Sequence, residues 1–351
     1  MMCGNEEAMQ NTNALDGCID RLLNGRLTRR GFLRATTAAS FAFALPEAAV
    51  AALRRLEKPI QIGMIADLHQ DVMHDGIARM DAFVKQMAAS NPDAIIQLGD
   101  FAYPNEKNRE IIDLFNQTHA RSLHVIGNHD TDAGHTKAQC LEKWEMPSPY
   151  YTQNIEGLDL LVLDGNDAGS PTHKGGYASY VGPEQREWLR EQLANLGGPI
   201  IVFCHQPLAG AFAVDNALEM QTILGEAADK VILAVNGHSH IDAMIRVKNV
   251  TYLHVNSASY QWVGGKHKHE SYSKDIHATY PWISYTCPYR DSLFARLTVE
   301  PQNLTIRVKG RQSEWVGKSP AELGVDLNPD LKNGEEIAPR IRDRQIVRIA
   351  K

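Results

Sequence analysis

Short apolar runs alternate along the chain with longer stretches in which apolar residues recur every three or four positions. The short runs predict buried strands, whereas the longer period predicts amphipathic helices. The predicted strands cover residues 60–66, 94–98, 123–126, 150–154, 158–163, 200–204, 231–235, 243–247, 252–255, 294–299 and 304–308. The predicted helices cover residues 77–89, 110–119, the stretch from Pro183 to a stop at Gly197, and 217–228. This order of elements predicts an α/β fold.

Composition fits one large globular domain. Of the 351 residues, 43% are hydrophobic and 22% are charged, which is the balance of a chain that buries a full core. The formal net charge is −6, and this argues against nucleic acid as a partner because nucleic-acid binders usually carry a basic face. Several of the 14 histidines stand beside Gly, Asp or Asn, which indicates a metal or acid–base site.

The first 51 residues resemble a twin-arginine export signal. Arg29 and Arg30 precede a mildly apolar run over 35–45, and small residues follow at 48–52 with an A-x-A-like cleavage site. This run is about half the ~20 residues that a membrane span needs. The alternative is an amphipathic helix that starts the mature domain. We expect cleavage after Ala51, contact with the twin-arginine translocation machinery, no membrane span in the mature form, and a periplasmic or extracellular location.

Five polar clusters each come directly after a predicted strand. They are Asp67-Leu68-His69, Gly99-Asp100, Gly127-Asn128-His129-Asp130, His205 and Gly237-His238-Ser239-His240. Ligands collect at the carboxyl ends of strands in α/β sheets. One His or Asp at such a position is more often a hydrogen-bonded loop residue, but five clusters with the same placement predict one shared site.

The side chains in these clusters are typical metal ligands. Carboxylates and imidazoles suit hard or borderline divalent ions. Asp100 is the best candidate to bridge two ions, because a carboxylate has two oxygens. The glycines at positions 99, 127 and 237 let the backbone turn sharply and leave room for metals and substrate. The clusters therefore predict a two-metal site.

In chain order, the five clusters have the patterns D-x-H, G-D, G-N-H-D, a lone H and G-H-x-H. This set resembles the motifs of the calcineurin-like metallophosphoesterase family over residues 67–240. The resemblance implies the metallo-dependent phosphatase fold, with two central β-sheets flanked by helices in αββα layers. It implies one metal on Asp67, His69, Asp100 and His240, and a second metal on Asp100, Asn128, His205 and His238. It also implies that His129 is a catalytic histidine outside the ligand set, oriented or charged by Asp130.

The same resemblance implies a metal-dependent phosphoric ester hydrolase that acts on phosphomonoesters or small phosphodiesters. Two ions would lower the pKa of a bridging water, and the resulting hydroxide would attack phosphorus directly. His129 would stabilise a phosphate oxygen or protonate the leaving alkoxide. The open alternatives are purple-acid-phosphatase-like or nucleotide diphosphatase activity at the same site, and a non-catalytic binding protein stabilised by metal.

The sequence leaves metal identity open. The segment from Gly99 to Tyr103 is similar to the G-D-x-x-Y motif of purple acid phosphatases, in which the tyrosine binds ferric iron. Those enzymes have a small residue where this chain has His69, so Tyr103 is either a ligand or a packed phenol. We expect two divalent or mixed-valence ions, with Zn, Mn and Fe as candidates, because ligand type alone does not decide among them.

Two later segments complete the predicted organisation. Residues 257–293 are rich in Tyr, Trp and His, and they are either a substrate wall whose aromatic rings stack on organic leaving groups or a surface loop. Residues 317–351 are polar, and we expect surface packing or partial disorder there. The expected division is a signal peptide over 1–51, a phosphoesterase domain over 52–316 and a C-terminal extension over 317–351.

Overall fold

The predicted apolar runs form two β-sheets in a computed structural model that describes residues 42–44, 47–326, 331 and 334–347. The strands are β1 (Ala42–Ala44), β2 (Ile60–Ile65), β3 (Ala94–Gln97), β4 (Ser122–His124), β5 (Tyr151–Ile155), β6 (Leu158–Leu163), β7 (Ile200–Cys204), β8 (Val231–Asn236), β9 (Ala243–Val247), β10 (Val250–His254), β11 (Tyr260–Trp262), β12 (Thr286–Pro288), β13 (Ala295–Glu300), β14 (Thr305–Lys309) and β15 (Arg344–Val347). The seven-stranded sheet has the order β1-β15-β14-β13-β2-β3-β4, and the six-stranded sheet has the order β5-β6-β7-β8-β10-β9. Each strand predicted from the sequence is present, with its ends shifted by two residues at most.

Helices connect and cover these strands. In the described part of the chain the α-helices are α1 (Glu47–Leu53), α2 (Gly76–Ser90), α3 (Arg109–Thr118), α4 (Lys137–Lys143), α5 (Pro183–Asn195), α6 (Ala217–Glu226) and α7 (Lys274–Thr279). The four predicted helices correspond to α2, α3, α5 and α6. The short helix α4 was not predicted, although Thr136 and Gln139 form a reciprocal capping box at its start, which is a recognisable helix signal.

The two sheets share one hydrophobic core. In β7, Ile201 and Phe203 join the core that contains β2 and β3, whereas Ile200 and Val202 belong to a second core on the opposite face. Helices α5 and α6 close that second core with their apolar faces, for example through Leu189. Because side chains alternate between the faces of a strand, β6, β7 and β8 each contribute to both cores. The predicted two-sheet fold flanked by helices is confirmed.

Parallel strand pairing determines where the loops meet. β2, β3 and β4 are parallel neighbours in one sheet, and β6, β7 and β8 are parallel neighbours in the other. Parallel neighbours end at the same edge of a sheet, so the loops that follow them lie side by side. These are the loops that carry the five polar clusters.

Both ends of the described chain pack against the first core. Helix α1 buries Ala49 and Leu53 there, and the cleavage site expected after Ala51 falls within this helix. The twin-arginine motif lies outside the described residues. At the other end, β15 pairs with β14 and Ile346 is buried in the same core, so the boundary expected at residue 316 does not coincide with an edge of the sheet. In the described part of the chain, no helix has both the length and the apolarity needed to cross a bilayer.

Candidate metal centre

The structure brings all seven predicted metal ligands together. Six of them form two groups in which the candidate ligand atoms lie within 4.8 Å of one another. The first, the Asp67 group, contains Asp67, His69 and His240, and the second, the Asp100 group, contains Asp100, His205 and His238. The seventh residue, Asn128, places its Oδ1 3.2 Å from His205 Nε2. The two groups correspond to the two metal positions expected from the sequence, although Asp100 falls in one group only.

Asp100 lies between the two groups. Its Oδ2 is 3.2 Å from His205 Nε2 in its own group and 3.7 Å from His69 Nε2 in the other. Its other oxygen, Oδ1, accepts a hydrogen bond of 2.8 Å from the backbone N–H of His129. A carboxylate in this position can face two cations at once, which is the arrangement that a bridging ligand requires.

The distances between the ligand nitrogens suit bound cations better than direct contact between the nitrogens. His69 Nε2 and His240 Nε2 lie 3.2 Å apart, and His205 Nε2 lies 3.2 Å from a nitrogen of His238. The Nδ1 atoms of His240 and His205 lie 2.8 Å and 2.7 Å from the backbone carbonyls of Tyr260 and Leu98. A hydrogen on Nδ1 that donates to the carbonyl leaves a lone pair on Nε2, and this is how metal-binding histidines are commonly oriented. Lone pairs that converge at such distances repel unless cations lie between them.

Burial and neighbouring charges set the protonation states of the candidate ligands. Burial lowers the pKa of His238 to about 3, with a further contribution from His205, and it lowers the pKa of His69 well below its ordinary value, so these two imidazoles are neutral near pH 7. Burial alone would raise the pKa of Asp100, but the neighbouring His205 and His129 hold it well below its usual range. Burial would also lower the pKa of His205, but the charge and hydrogen bond of Asp100 raise it to about 9. Metal binding at His205 therefore displaces a proton, because neutral imidazole is the form that binds metal.

The ligand loops adopt unusual backbone conformations. Five ligand residues have positive φ angles between 50° and 65°, namely Asp67, His69, Asp100, His238 and His240. Residues other than glycine rarely occupy this left-handed region, and such conformations concentrate at functional sites. The D-x-H and G-H-x-H motifs gave the spacing of these ligands but did not predict their left-handed backbone conformations.

Two glycines allow the ligand loops to approach closely. A Cβ atom on Gly127 would lie 2.2 Å from the backbone nitrogen and from Oδ1 of Asp100. A Cβ on Gly99 would lie 2.4 Å from His205 Nδ1, and Gly99 also has a φ of 95°. Any larger residue at either position would push apart two of the ligands, which explains why the motifs carry glycine here.

The partner expected for His129 requires a correction. The carboxylate that holds the His129 ring is that of Asp132, whose Oδ2 lies 2.7 Å from Nδ1. A short helical turn begins at His129 and brings residue i+3 back beside residue i. Asp130 instead accepts hydrogen bonds of 2.7–2.9 Å from three backbone N–H groups, those of Gly127, Asp100 and Phe101. Asp130 therefore braces the ligand loops, and Asp132 orients the histidine.

The first residues of the aromatic segment 257–293 support the candidate metal ligands. The Tyr260 ring stacks on His69 at 4.9 Å between centroids, and its carbonyl lies 2.8 Å from His240 Nδ1. The Ser257 hydroxyl donates to the backbone carbonyl of Asp67, and the Ser259 hydroxyl donates to that of Leu68, at 2.8 Å and 2.6 Å. Residues 257–260 thus hold the first ligand loop in place through these hydrogen bonds.

The C-terminal segment fastens the last ligand loop. Asp242, two residues after His240, is fully buried, and its carboxylate accepts hydrogen bonds of 2.6 Å from both Arg342 and Arg344. The Asn256 side chain donates to the backbone carbonyls of Ala338 and Arg340. The segment expected to be surface packing therefore contributes to the support of the metal centre.

A cavity of about 670 Å³ opens over the two ligand groups. His69, Asp100, His238 and His240 contribute to its floor, and His129 and Asp132 line it as well. Aromatic side chains form much of the remaining lining, namely Phe101, Tyr103, Tyr177, Phe212, Tyr260, Trp262 and Trp282. Neither Lys nor Arg is found among the described residues that line this cavity.

Tyr103 lines the cavity beside the ligands. Its ring lies 5.3 Å from the ring of His135, and its backbone N–H donates to Asp71. Burial raises the pKa of the Tyr103 phenol to about 12, with a further contribution from Asp132. The phenol is thus protonated in this arrangement.

Sequence reasoning did not identify Asp132, Tyr177 or Tyr260 as site residues. Asp132 had a usable signal, since it stands three residues after His129 and one helical turn joins them. Tyr177 donates from its hydroxyl to Asp132 at 2.9 Å, but it lies in a distant loop without a motif. Tyr260 was noted only as one of many aromatic residues in its segment.

The fold and the paired ligand groups are those of a dimetal phosphoesterase. Residues 60–242, more than half of the 351 residues, match the calcineurin-like phosphoesterase family, and the chain belongs to that family. A probable cyclic nucleotide phosphodiesterase from Fibrobacter succinogenes is 23% identical over 212 residues, which are 56% of this chain and 78% of that protein.

Two solved structures share the fold. A dimetal phosphatase from Danio rerio aligns with a TM-score of 0.50 and 13% identity, covering 75% of this chain and 100% of that one. GAP50, the anchor in the inner membrane complex of Plasmodium, aligns with a TM-score of 0.51 and 15% identity, covering 84% of this chain and 90% of that one. Since a phosphatase and an anchor share this architecture, activity must be argued from the site.

Proposed function

We propose that this protein hydrolyses phosphomonoesters or small phosphodiesters at a dinuclear metal centre. The observation that carries the proposal is the meeting of two ligand groups at Asp100, whose Oδ2 faces His205 at 3.2 Å and His69 at 3.7 Å. Two divalent cations bound there would lower the pKa of a shared water and offset the negative charge of the phosphate. Zn, Mn and Fe all suit this donor set.

His129 is the residue that we assign to proton transfer or to stabilisation of a phosphate oxygen. The Asp132 carboxylate holds Nδ1 of His129 at 2.7 Å, so Nε2 is the nitrogen that remains for the substrate. An imidazole fixed in this way and paired with a carboxylate favours the protonated form, which suits a general acid. Both residues line the cavity above the ligands.

The charge of the cavity supports a substrate with a single phosphate group. Diphosphates and polynucleotides usually need Lys or Arg to neutralise their additional charge, and the described residues around the cavity include neither. Asp71, Asp130 and Asp132 add negative potential to the lining. Bound cations would thus provide most of the attraction for an anion, and a substrate with a single phosphate group needs no further positive charge in the lining.

The name of one relative agrees with this assignment. The protein from Fibrobacter succinogenes is called a probable cyclic nucleotide phosphodiesterase, and a cyclic nucleotide is a small phosphodiester. We therefore include cyclic nucleotides among the substrates that we propose.

The test is a comparison of metal-loaded and metal-free protein on a panel of phosphate esters. The panel should contain phosphomonoesters, cyclic and linear diesters, and a diphosphate, each assayed after loading with Zn, Mn or Fe. We expect turnover of at least one mono- or diester, loss of turnover with a chelator, and recovery on adding metal. A protein that binds metal and stays folded but turns over none of these esters would refute the proposal and favour a non-catalytic role.

We propose further that the protein is exported by the twin-arginine route. The support is the sequence pattern around Arg29 and Arg30. Replacement of both arginines by lysine should retain the protein in the cytoplasm, whereas the unchanged protein should appear outside it. Sequencing the N-terminus of the exported form would show whether cleavage follows Ala51, and equal export of both forms would refute the proposal.

A further inference from the structure

Exposed aromatic side chains concentrate around the mouth of the metal cavity. In the described part of the chain, five large hydrophobic side chains are exposed: Tyr177 (49%), Phe212 (45%), Leu218 (78%), Trp262 (45%) and Trp282 (54%). All of them except Leu218 line the cavity. Exposing large rings to water is unfavourable, and a contiguous set beside a polar floor marks a surface that binds an apolar or planar group.

These rings come from three separate parts of the chain. Tyr177 belongs to the loop between β6 and α5, Phe212 to the loop between β7 and α6, and the two tryptophans to the 257–293 segment. No single loop conformation therefore explains the cluster. Rings from three loops surround the same opening, which is the arrangement expected for a substrate wall.

The tryptophan side of the mouth is preorganised. The Trp262 ring stacks on Tyr285 at 5.4 Å with only 10° between the ring planes, and the Trp282 ring lies 5.0 Å from the same Tyr285. The Lys268 ammonium sits 4.1 Å above the Tyr285 ring, where a cation is attracted to the aromatic face. Tyr285 thus supports both tryptophans, and little side-chain entropy is lost when a ligand stacks on them.

Strand β11 connects the candidate metal ligands to this wall. Tyr260, its first residue, stacks on the candidate ligand His69 at 4.9 Å, and the Trp262 ring at the end of the strand lies 6.5 Å from the Tyr260 ring, centroid to centroid. The Tyr260 ring thus contacts both the candidate ligands and the wall. A spacer such as one sugar ring lets a planar group pass Tyr260 and stack on Trp262 while the phosphate stays at the ligand groups.

We infer that the substrate is a phosphate ester with a planar aromatic base joined through a sugar-sized spacer, that is, a nucleotide, and that Trp262 and Trp282 bind its base. This inference rests on the proposed phosphoesterase function and deepens it by naming the substrate class. Base–aromatic stacking tolerates any base, because every base has a π-face. The wall therefore selects nucleotides as a class rather than one base.

The experiment compares two pairs of esters that differ in the base and one pair that differs in a directly bonded aromatic ring. Adenosine 5′-monophosphate is paired with ribose 5-phosphate, the methyl ester of adenosine 5′-monophosphate with the methyl ester of ribose 5-phosphate, and phenyl phosphate with methyl phosphate. Each pair is assayed with metal-loaded wild-type protein and with Trp262→Leu, Trp262→Phe and, as a surface control, Leu218→Ala. Calorimetric binding of non-hydrolysable phosphonate analogues of the first pair reports on recognition of the base without turnover.

We expect wild-type kcat/KM to favour a base-bearing ester by roughly tenfold or more over its base-free partner, as base stacking on a tryptophan would give. Trp262→Leu should remove most of this preference. Trp262→Phe should restore part of it, and Leu218→Ala should behave like wild type.

Equal rates and equal binding within the nucleotide pairs would overturn the inference while leaving the phosphoesterase function intact. A preference for phenyl phosphate over methyl phosphate without any preference in the nucleotide pairs would also overturn it, because it would assign the wall to directly bonded aryl groups. If every ester resisted hydrolysis, the proposed function would fail, and selective binding of the adenosine phosphonate would still show that the wall recognises a base.

Discussion

The floor and the rim of the cavity are built on different principles. The floor consists of buried ligands at the ends of five strands, and five of these residues have left-handed backbones. The rim consists of exposed rings from three loops, each accessible by 45–54%. The floor is fixed by hydrogen bonds from neighbouring loops, whereas the rim is fixed mainly by ring stacking.

This difference separates the residues that would carry out hydrolysis from those that would select the substrate. A floor that must hold metals within tenths of an ångström requires rigid, strained loops with dedicated support. A rim that only has to offer flat surfaces can be assembled from loops that differ freely between relatives. We therefore expect substitutions in the floor to affect all substrates alike and substitutions in the rim to affect substrates according to their organic part.

The largest effect should come from Asp100→Asn. Loss of one charged oxygen from the carboxylate that faces both ligand groups should lower kcat/KM by about a thousandfold for every ester, which is about 4 kcal/mol of transition-state stabilisation. Steady-state kinetics on metal-loaded protein would measure it, with thermal unfolding as a check on the fold. Asp113→Asn, on the exposed part of α3, is a matched control that should leave turnover unchanged. Similar activity in both variants would remove the bridging role of Asp100.

The next comparison lies within the floor and uses two carboxylates two residues apart. Asp132→Asn should lower kcat by about a hundredfold, because His129 loses the carboxylate that orients its ring and stabilises its protonated form. Asp130→Asn should mainly lower the free energy of unfolding, by about 2 kcal/mol, because an amide accepts poorly from three converging N–H groups. Kinetics and thermal unfolding of both variants would separate the roles. Large loss of turnover with unchanged stability in Asp130→Asn, and none in Asp132→Asn, would reverse the assignment.

The support behind the floor gives a smaller effect on stability. Arg344→Met removes one of two arginines that pair with the buried Asp242. We expect a loss of about 2 kcal/mol in the free energy of unfolding, since Arg342 still pairs with the carboxylate. Urea unfolding of metal-free protein would measure the loss, with Arg54→Met, at an exposed position, as a control for loss of one arginine elsewhere. An unchanged midpoint would show that the C-terminal segment does not stabilise the last ligand loop.

The smallest effect should come from Tyr177→Phe, at the point where rim and floor meet. This change removes the hydroxyl that lies 2.9 Å from Asp132 and 3.1 Å from His129 but keeps the ring. We expect kcat to fall about fivefold for base-bearing and base-free esters alike, because this is the effect of losing one hydrogen bond. A loss confined to nucleotides would instead show that Tyr177 acts only as part of the aromatic wall.

The floor could be predicted from the sequence because its ligands follow strands whose apolar patterns are clear. The spacing from Asp67 to His240 also matches a family pattern, so the motifs alone assign residues far apart in the chain to one site. The left-handed turns at Asp67 and His240 could not be predicted, because they are imposed by packing between loops. The spacing of three residues pointed to Asp132 as a partner of His129, but it did not exclude Asp130, and the backbone geometry decides between the two acids.

The rim was beyond sequence reasoning for a different reason. Trp262 and Trp282 lie in a segment that the sequence allowed to be either a wall or a surface loop, and Phe212 and Tyr177 belong to loops without any motif. Their grouping depends on tertiary contacts such as Trp262 with Tyr285. The C-terminal strand was missed because β15 has only four residues, two of them polar, and its burial depends on pairing with β14.

The measurement that tests the central claim most directly is an anomalous diffraction map of metal-loaded crystals. We predict two peaks, one among the side chains of the Asp67 group and one among those of the Asp100 group, with the Asp100 carboxylate in contact with both. Two metal ions per chain in solution should accompany them. A single peak, or peaks away from these side chains, would contradict the dinuclear centre on which the proposed hydrolysis depends.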